Sequence, residues 1–201
     1  MSIDPDKPAA DAEVVDATRD WLEKAVIGLN LCPFAKAVHG KRQVRYVVSH
    51  ATGEEALLAD LMHELQLLAA ADPGDIETTL LVHPFVLTDF LDYNAFLDLA
   101  DAAVEELGLE GFLQVASFHP DYQFADSDAD DIANYSNRAP YPTLHLLRED
   151  SIDKAVAAFP EAETIYLANI ETLRRLGHAG WRALWTPPPR RSGFSRDRDP
   201  P

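Results

Sequence analysis

Hydrophobic positions along the chain repeat with helical spacing in some segments and with alternating or continuous spacing in others. Apolar residues at positions 14, 21, 22, 25, 26 and 29 predict a first amphipathic helix, which should end near Asn30 because Pro33 cannot donate a backbone hydrogen bond. The same periodicity predicts helices over residues 54–71 and 91–107, the second ended by Gly108. A short helix at 151–159, capped by Ser151, and a last helix at 163–176 complete the set.

Four segments have the spacing of β-strands, at residues 43–50, 78–83, 112–119 and 142–148. The order of helices and strands predicts an α/β fold with a central four-stranded sheet, a parallel βαβαβ core and helices at both ends of the chain. The pattern leaves the direction of the fourth strand open. We expect one domain over residues 12–185, with disordered segments at 1–11 and at the Pro/Arg-rich residues 186–201.

Composition narrows the classes of function. The chain has 201 residues, is 47% hydrophobic and carries a formal net charge of −17. Such a charge disfavours nucleic acid and anionic membranes as partners. With one cysteine, no signal peptide and no apolar stretch of membrane-spanning length, we expect a cytoplasmic protein.

Three histidines stand at the carboxyl ends of predicted strands, namely His50, His83 and His119. If these strands are parallel, the imidazoles lie along the edge where open α/β sheets bind ligands. A proline directly follows His83 and His119 and fixes where each strand stops. The alternative is that His-Pro only terminates a strand. No proline follows His50, and a role in the turn after the strand would explain this histidine equally well.

Three more residues carry candidate chemistry. Cys32, just before Pro33, could cap a new helix and have a reactive thiolate, or be buried and inert. Arg138, in the long polar loop 120–140, suits a carboxylate or phosphate group, or pairs with that loop's own aspartates. His145 lies within the fourth strand, where a hydrogen-bonded core histidine is the simplest interpretation. The Asp126, Asp128, Asp130 spacing starts like a calcium loop, but Asp131 stands where glycine is required.

Several motifs taken together resemble the DUF1415 family of bacterial proteins. They are the residues 31–35 (LCPFA), 83–84 (HP), 118–124 (FHPDYQF), 137–149 (NRAPYPTLHLLRE) and 169–177 (NIETLRRLG). The resemblance covers about residues 12–182 and implies one compact domain with appended termini. It supplies no activity and no catalytic residues. The Cys-Pro-Phe-Ala run is also similar, more weakly, to the active-site turn of glutaredoxin-like and omega-type glutathione transferase domains, although a predicted helix rather than a strand precedes it here.

Sequence patterns support two hypotheses of function. The first is a small-molecule enzyme or metal-binding protein with Cys32, His83, His119 and Arg138 in one pocket, Arg138 anchoring an anionic small molecule. In the metal version, Cys32, His83, His119 and His145 would hold zinc or another transition metal, although their spacing matches no compact zinc motif. The second is a non-catalytic module that binds a protein partner. A thioredoxin-like thiol protein is a further alternative.

Overall fold

A computed structural model describes residues 7–158 and 164–185 of the chain. The described residues contain six α-helices and four strands. The helices are α1 (Lys7–Trp21), α2 (Ala35–Gly40), α3 (Glu54–Ala70), α4 (Phe90–Glu106), α5 (Glu149–Ala158) and α6 (Thr164–Leu184), and the strands are β1 (Val44–Val48), β2 (Thr78–Val82), β3 (Leu113–Phe118) and β4 (Thr143–Arg148). A π-helical turn at Leu22–Ile27 and a 3₁₀-helix at Ile132–Asn137 complete the order. The α/β class with one four-stranded sheet is confirmed.

The strands lie in the order β1-β2-β4-β3. β1 pairs with β2 in parallel, whereas β4 is antiparallel to both β2 and β3. The first three strands therefore point the same way, and their carboxyl ends lie at one edge of the sheet. The predicted continuous parallel core is wrong in one respect, because β4 separates β2 from β3 and leaves a single parallel pair.

The insertion of β4 between β2 and β3 follows from the residues that each strand can bury. Leu144 and Leu146 of β4 are fully buried, as suits a central strand. Gln114 of β3 is exposed, as suits an edge strand. The βαβ connection correctly predicts that β3 runs parallel to β2. It does not specify which strand lies next to β3.

Helices cover both faces of the sheet. On the first face, α3 and α4 pack their leucines and aromatic residues against Leu81, Leu144 and Leu146. On the second face, α1, the π-helical turn and α6 form an apolar cluster around Trp21, Leu173 and Trp181. Side chains alternate between faces along each strand, so the position of a residue in a strand determines which helices it contacts.

The ends of several elements differ from the predictions. Helix α1 begins at Lys7, inside the segment 1–11 predicted to be disordered, because Pro8 is tolerated in a first turn and alanines follow it. Residues 1–6 and 186–201 lie outside the described residues. Helix α5 begins at Glu149 directly after β4, so Ser151 is inside the helix and does not cap it. Gly177, with φ of 65°, breaks α6 as predicted, but helical structure then resumes. Among the described helices, none is long and apolar enough to cross a membrane.

Candidate functional site

The structure brings His83 and His119 together at the carboxyl edge of the sheet. Both follow their strands on the first face, and the ring of Tyr93 from α4 lies between them. The Tyr93 ring centroid is 5.7 Å from that of His83 and 5.1 Å from that of His119. The Tyr93 hydroxyl donates to the Thr143 carbonyl at 2.9 Å and accepts the Phe118 backbone N–H at 3.1 Å. Tyr93 therefore connects the start of β4 with the end of β3.

His83 is a buried neutral imidazole with one nitrogen unpaired. Its Nδ1 is 3.1 Å from the Val86 carbonyl, which can only accept, so Nδ1 carries the proton. The Nε2 lone pair is buried and has no hydrogen-bond partner among the described residues. Burial lowers the pKa of His83 from 6.5 to about 4, and the proximity of His119 adds to the effect.

His119 holds two segments of backbone in place. Its Nε2 donates to the Leu87 carbonyl at 3.2 Å, and its Nδ1 accepts the Asp121 N–H at 3.0 Å. Leu87 adopts a left-handed backbone with φ of 55°, which is unfavourable for a leucine. His83 and His119 thus bind successive carbonyls of the loop between β2 and α4. Both side chains are fully buried, so the structure places them as supports of this edge.

Cys32 and His145 lie on the other face of the sheet. His145 alternates with Leu144 and Leu146, and its ring packs 5.9 Å from that of Phe118. The Thr78 hydroxyl donates to the Leu146 carbonyl, so His145 Nε2 must donate to Thr78 Oγ1 at 2.7 Å. Burial lowers the pKa of His145 to about 4. His145 is accordingly a hydrogen-bonded core histidine.

Cys32 packs, partly buried, against the apolar cluster of the second face. The predicted helix start at Pro33 is wrong, because α2 begins two residues later with Phe34 at its N-cap. In the part of the chain that the structure describes, the Cys32 carbonyl accepts the Ala35 N–H at 3.2 Å. The segment before Cys32 is helical, as predicted, which differs from the strand of glutaredoxin-like folds.

Arg138 stabilises the long loop to which it belongs. Its Nε donates to the Tyr122 carbonyl at 3.1 Å, and its Nη2 donates to the Ala129 carbonyl at 2.8 Å. The guanidinium also lies over the Tyr135 ring, 4.3 Å from the centroid. Arg138 therefore orders the loop through backbone carbonyls, whereas the sequence left two alternatives open, an anchor for an anionic group and pairing with the loop's own aspartates.

The predicted metal-ligand set is not assembled. His83 and His119 pack on Tyr93 of α4, whereas His145 points to the opposite face because side chains alternate along β4. Cys32 packs on that second face from the segment before α2. Within residues 7–158 and 164–185, no group of three or more His, Cys, Asp or Glu side chains is arranged to hold a metal ion. Of the four residues expected in one pocket, Cys32 packs on the second face, His83 and His119 pack on the first, and Arg138 is held within its own loop.

A different group of polar residues surrounds a cleft at the carboxyl end of β1. The cleft has a volume of about 400 Å³ and lies between β1 and α3. Its polar lining includes Ser49, His50, Asp60 and His63. Ser49, which is buried, donates its hydroxyl to Asp60 Oδ2 at 2.6 Å and accepts the Ala51 N–H at 3.1 Å. This hydroxyl holds the Asp60 carboxylate at the end of the strand.

His50 stands at the same cleft, beside an acidic partner. Its Nε2 lies 2.8 Å from Asp11 Oδ1 of α1. The two atoms are buried but are not aligned for a hydrogen bond. The His50 ring stacks on Phe85, with centroids 5.7 Å apart and planes 26° apart. His50 therefore contacts both α1 and the loop that His83 and His119 hold.

The charge of the cleft is negative. Glu64, one turn along α3 from Asp60, forms a two-pronged pair with Arg45 at 2.8 and 3.1 Å. Among the described residues, no cationic group lies within ion-pair distance of Asp60. The uncompensated carboxylate favours a cationic or hydroxyl-bearing occupant over an anion.

Sequence patterns point only weakly to the residues of this cleft. His50 is the least distinctive of the strand-end histidines, and the sequence reasoning missed Ser49, Asp60 and His63. A signal was available, since Asp60 and His63 are three residues apart on one face of the helix that follows β1.

The fold and the site define an α/β protein with polar groups at the carboxyl edge of its sheet. A family model described as a protein of unknown function, DUF1415, matches residues 13–183. The chain therefore belongs to the DUF1415 family, as its motifs indicated. No curated protein and no solved structure matches the chain.

Proposed function

We propose that the chain is a small-molecule enzyme whose site is the cleft at the carboxyl end of β1. One observation carries this proposal, namely that Ser49, His50, Asp60 and His63 line one concave site at the sheet edge where α/β folds bind ligands. A volume of about 400 Å³ is within the range of small-molecule sites. The uncompensated Asp60 carboxylate indicates a small polar substrate with an amine or hydroxyl group.

The reaction class that these groups support is proton transfer. His50 is the candidate acid–base residue, and the Asp11 carboxylate beside it is a charged neighbour that would stabilise its protonated form. Asp60, held by Ser49, is the candidate substrate-binding group. His83 and His119 act through the loop that carries Phe85, so they are positioning residues in this proposal. Cys32 and Arg138 take no part.

The test is a thermal-shift screen of small amines, polyols, amino acids and carboxylic acids, followed by calorimetric titration of the stabilising compounds. Asp60→Asn removes the charge in nearly the same shape and should weaken binding of a cationic ligand at least about tenfold, since a charge-assisted hydrogen bond contributes about 1.5–3 kcal/mol. Glu55→Gln, on an exposed part of the same helix, is the matched control and should bind like the wild type. Equal losses in both variants would contradict the proposed site.

A further inference from the structure

A second hollow lies at the opposite end of β1 and on the opposite face of the sheet. It has a volume of about 500 Å³ and is lined by Arg19, His39, Gly40, Arg42, Val44 and Tyr46. It shares no residue with the cleft at Ser49 and Asp60, so a function of this hollow does not depend on the proposed function.

The hollow is in a basic part of an acidic chain. Residues 19–45 contain six of the 17 lysines and arginines but only two acidic residues, Asp20 and Glu23. Residues 46–137 then contain 19 acidic residues and no lysine or arginine. At physiological salt the charges of the distant acids are screened beyond about 8 Å, so the local potential is set by the residues that line the hollow and by those directly beside it.

Most polar side chains that line the hollow are hydrogen-bond donors, and few acceptors lie among them. The Tyr46 hydroxyl is buried and has no hydrogen-bond partner among the described residues. Burial raises its pKa, so the hydroxyl stays protonated. Arg19 lies over the Tyr46 ring, 5.3 Å from the centroid, but a guanidinium offers no acceptor to the hydroxyl. An oxygen atom with a lone pair would satisfy both groups.

Acidic residues near the hollow pair with some of its hydrogen-bond donors but not with all of them. Asp16 pairs with Arg19 at 2.8 Å, and Glu23 lies 3.1 Å from His39. For Arg42, no carboxylate lies within 4.0 Å in the part of the chain that the structure describes. Arg42 lies in the short connection between α2 and β1, so both ordered elements hold its backbone.

We propose that this hollow binds the anionic oxygen group of a small molecule, either a phosphate or a carboxylate. Arg19 and Arg42 supply the charged donors, and Tyr46, which also lines the hollow, supplies a neutral donor through its buried hydroxyl. Planar guanidinium groups match the geometry of both anions. The sequence suggested an anion-binding function for Arg138, which instead donates through Nε and Nη2 to loop carbonyls. Anion binding is assigned here to Arg19 and Arg42.

The test is calorimetric titration of the full chain with inorganic phosphate and, in a separate arm, with citrate at constant ionic strength. The two arms distinguish a phosphate site from a carboxylate site. Arg42→Gln should weaken saturable binding at least about tenfold. Lys41→Gln removes an equal charge next to the hollow without lining it and should change affinity less than about twofold. No saturable binding of either anion to the wild type, or equal losses in the two variants, would overturn the proposal.

Tyr46→Phe gives a second test because it keeps the ring and removes only the unpaired hydroxyl. In anion-free buffer the variant should be as stable as the wild type or more stable, since a buried hydroxyl without a partner is unfavourable. It should nevertheless lose affinity for the anion. Unchanged affinity in this variant would exclude Tyr46 as a donor and overturn the assignment.

Discussion

The buried imidazole of His83 should make stability depend on pH in a way that one substitution isolates. His83→Asn keeps an N–H donor in place of Nδ1, which can still reach the Val86 carbonyl, but removes the group that titrates. The pKa of His83 is about 4 in the folded chain and 6.5 in an unfolded one. The folded state thus disfavours the proton, and the unfolded state binds more protons between these two values. Stability from His83 is present above the unfolded pKa and is lost as pH falls through this window.

The magnitude follows from the same two pKa values. One pKa unit corresponds to about 1.4 kcal/mol, so the full contribution is about 3 kcal/mol. Most of it is lost between about pH 7.5 and about pH 5, where the unfolded imidazole is charged and the folded one is still neutral, a loss of about 2 kcal/mol. His83 is fully buried, so solvent screening does not reduce this value substantially.

The assay is urea unfolding of the wild type and His83→Asn across this pH range. The difference in unfolding free energy between the two proteins should shrink by about 2 kcal/mol from about pH 7.5 to about pH 5. His63→Asn, on the exposed surface of α3, is the control for loss of an imidazole. Parallel pH curves for wild type and His83→Asn would refute the reasoning. If His83→Asn does not fold, an NMR titration of the His83 ring in the wild type tests the same pKa directly.

Three further predictions concern stability and ligand binding. Gly28→Ala should lower the unfolding free energy by about 1–3 kcal/mol, because its Cβ would lie 2.3 Å from the Lys24 carbonyl oxygen. Gly40→Ala is the control: its Cβ would have no neighbour within 4 Å, so thermal denaturation should show a neutral or stabilising effect. Arg148→Met should lower the unfolding free energy measured with urea by about 2–4 kcal/mol, because the guanidinium donates to three carbonyls at the end of α3 and beyond. A loss below about 1 kcal/mol would contradict that role. Cys32→Ser should leave binding at the β1 cleft unchanged by calorimetry, and a loss of binding would return Cys32 to the site.

Much of the fold could be predicted because local patterns determine it. The four strands lie within two residues of their predicted bounds, since β-branched and apolar runs are interrupted by Pro, Gly and Asp. The position of β4 could not be predicted in the same way. Its neighbours depend on which strands bury both faces, and this is a property of the whole sheet. Helix α1 was missed at its start because alanines and a proline resemble a linker as readily as a first turn.

The candidate site was predicted less well, for a physical reason. His83 and His119 do meet at the sheet edge, because both follow strands that run in the same direction and share a face. Cys32 and His145 could not be assigned to that face without the register of the strands and the path of the chain after α1. Asp60 and Ser49 are brought together by the packing of α3 on β1, which no spacing in the sequence specifies. The role of Arg138 depended on the carbonyls of an irregular loop.

The measurement that tests the central claim most directly is chemical-shift mapping of the isotope-labelled full chain against a panel of small amines, polyols and amino acids. The proposed function predicts that compounds which bind shift the resonances of Ser49, His50, Asp60 and His63 together, and that Asp60→Asn raises the ligand concentration needed for these shifts at least about tenfold. Shifts that instead cluster around Cys32, or no shifts at the β1 cleft with any compound of the panel, would contradict it.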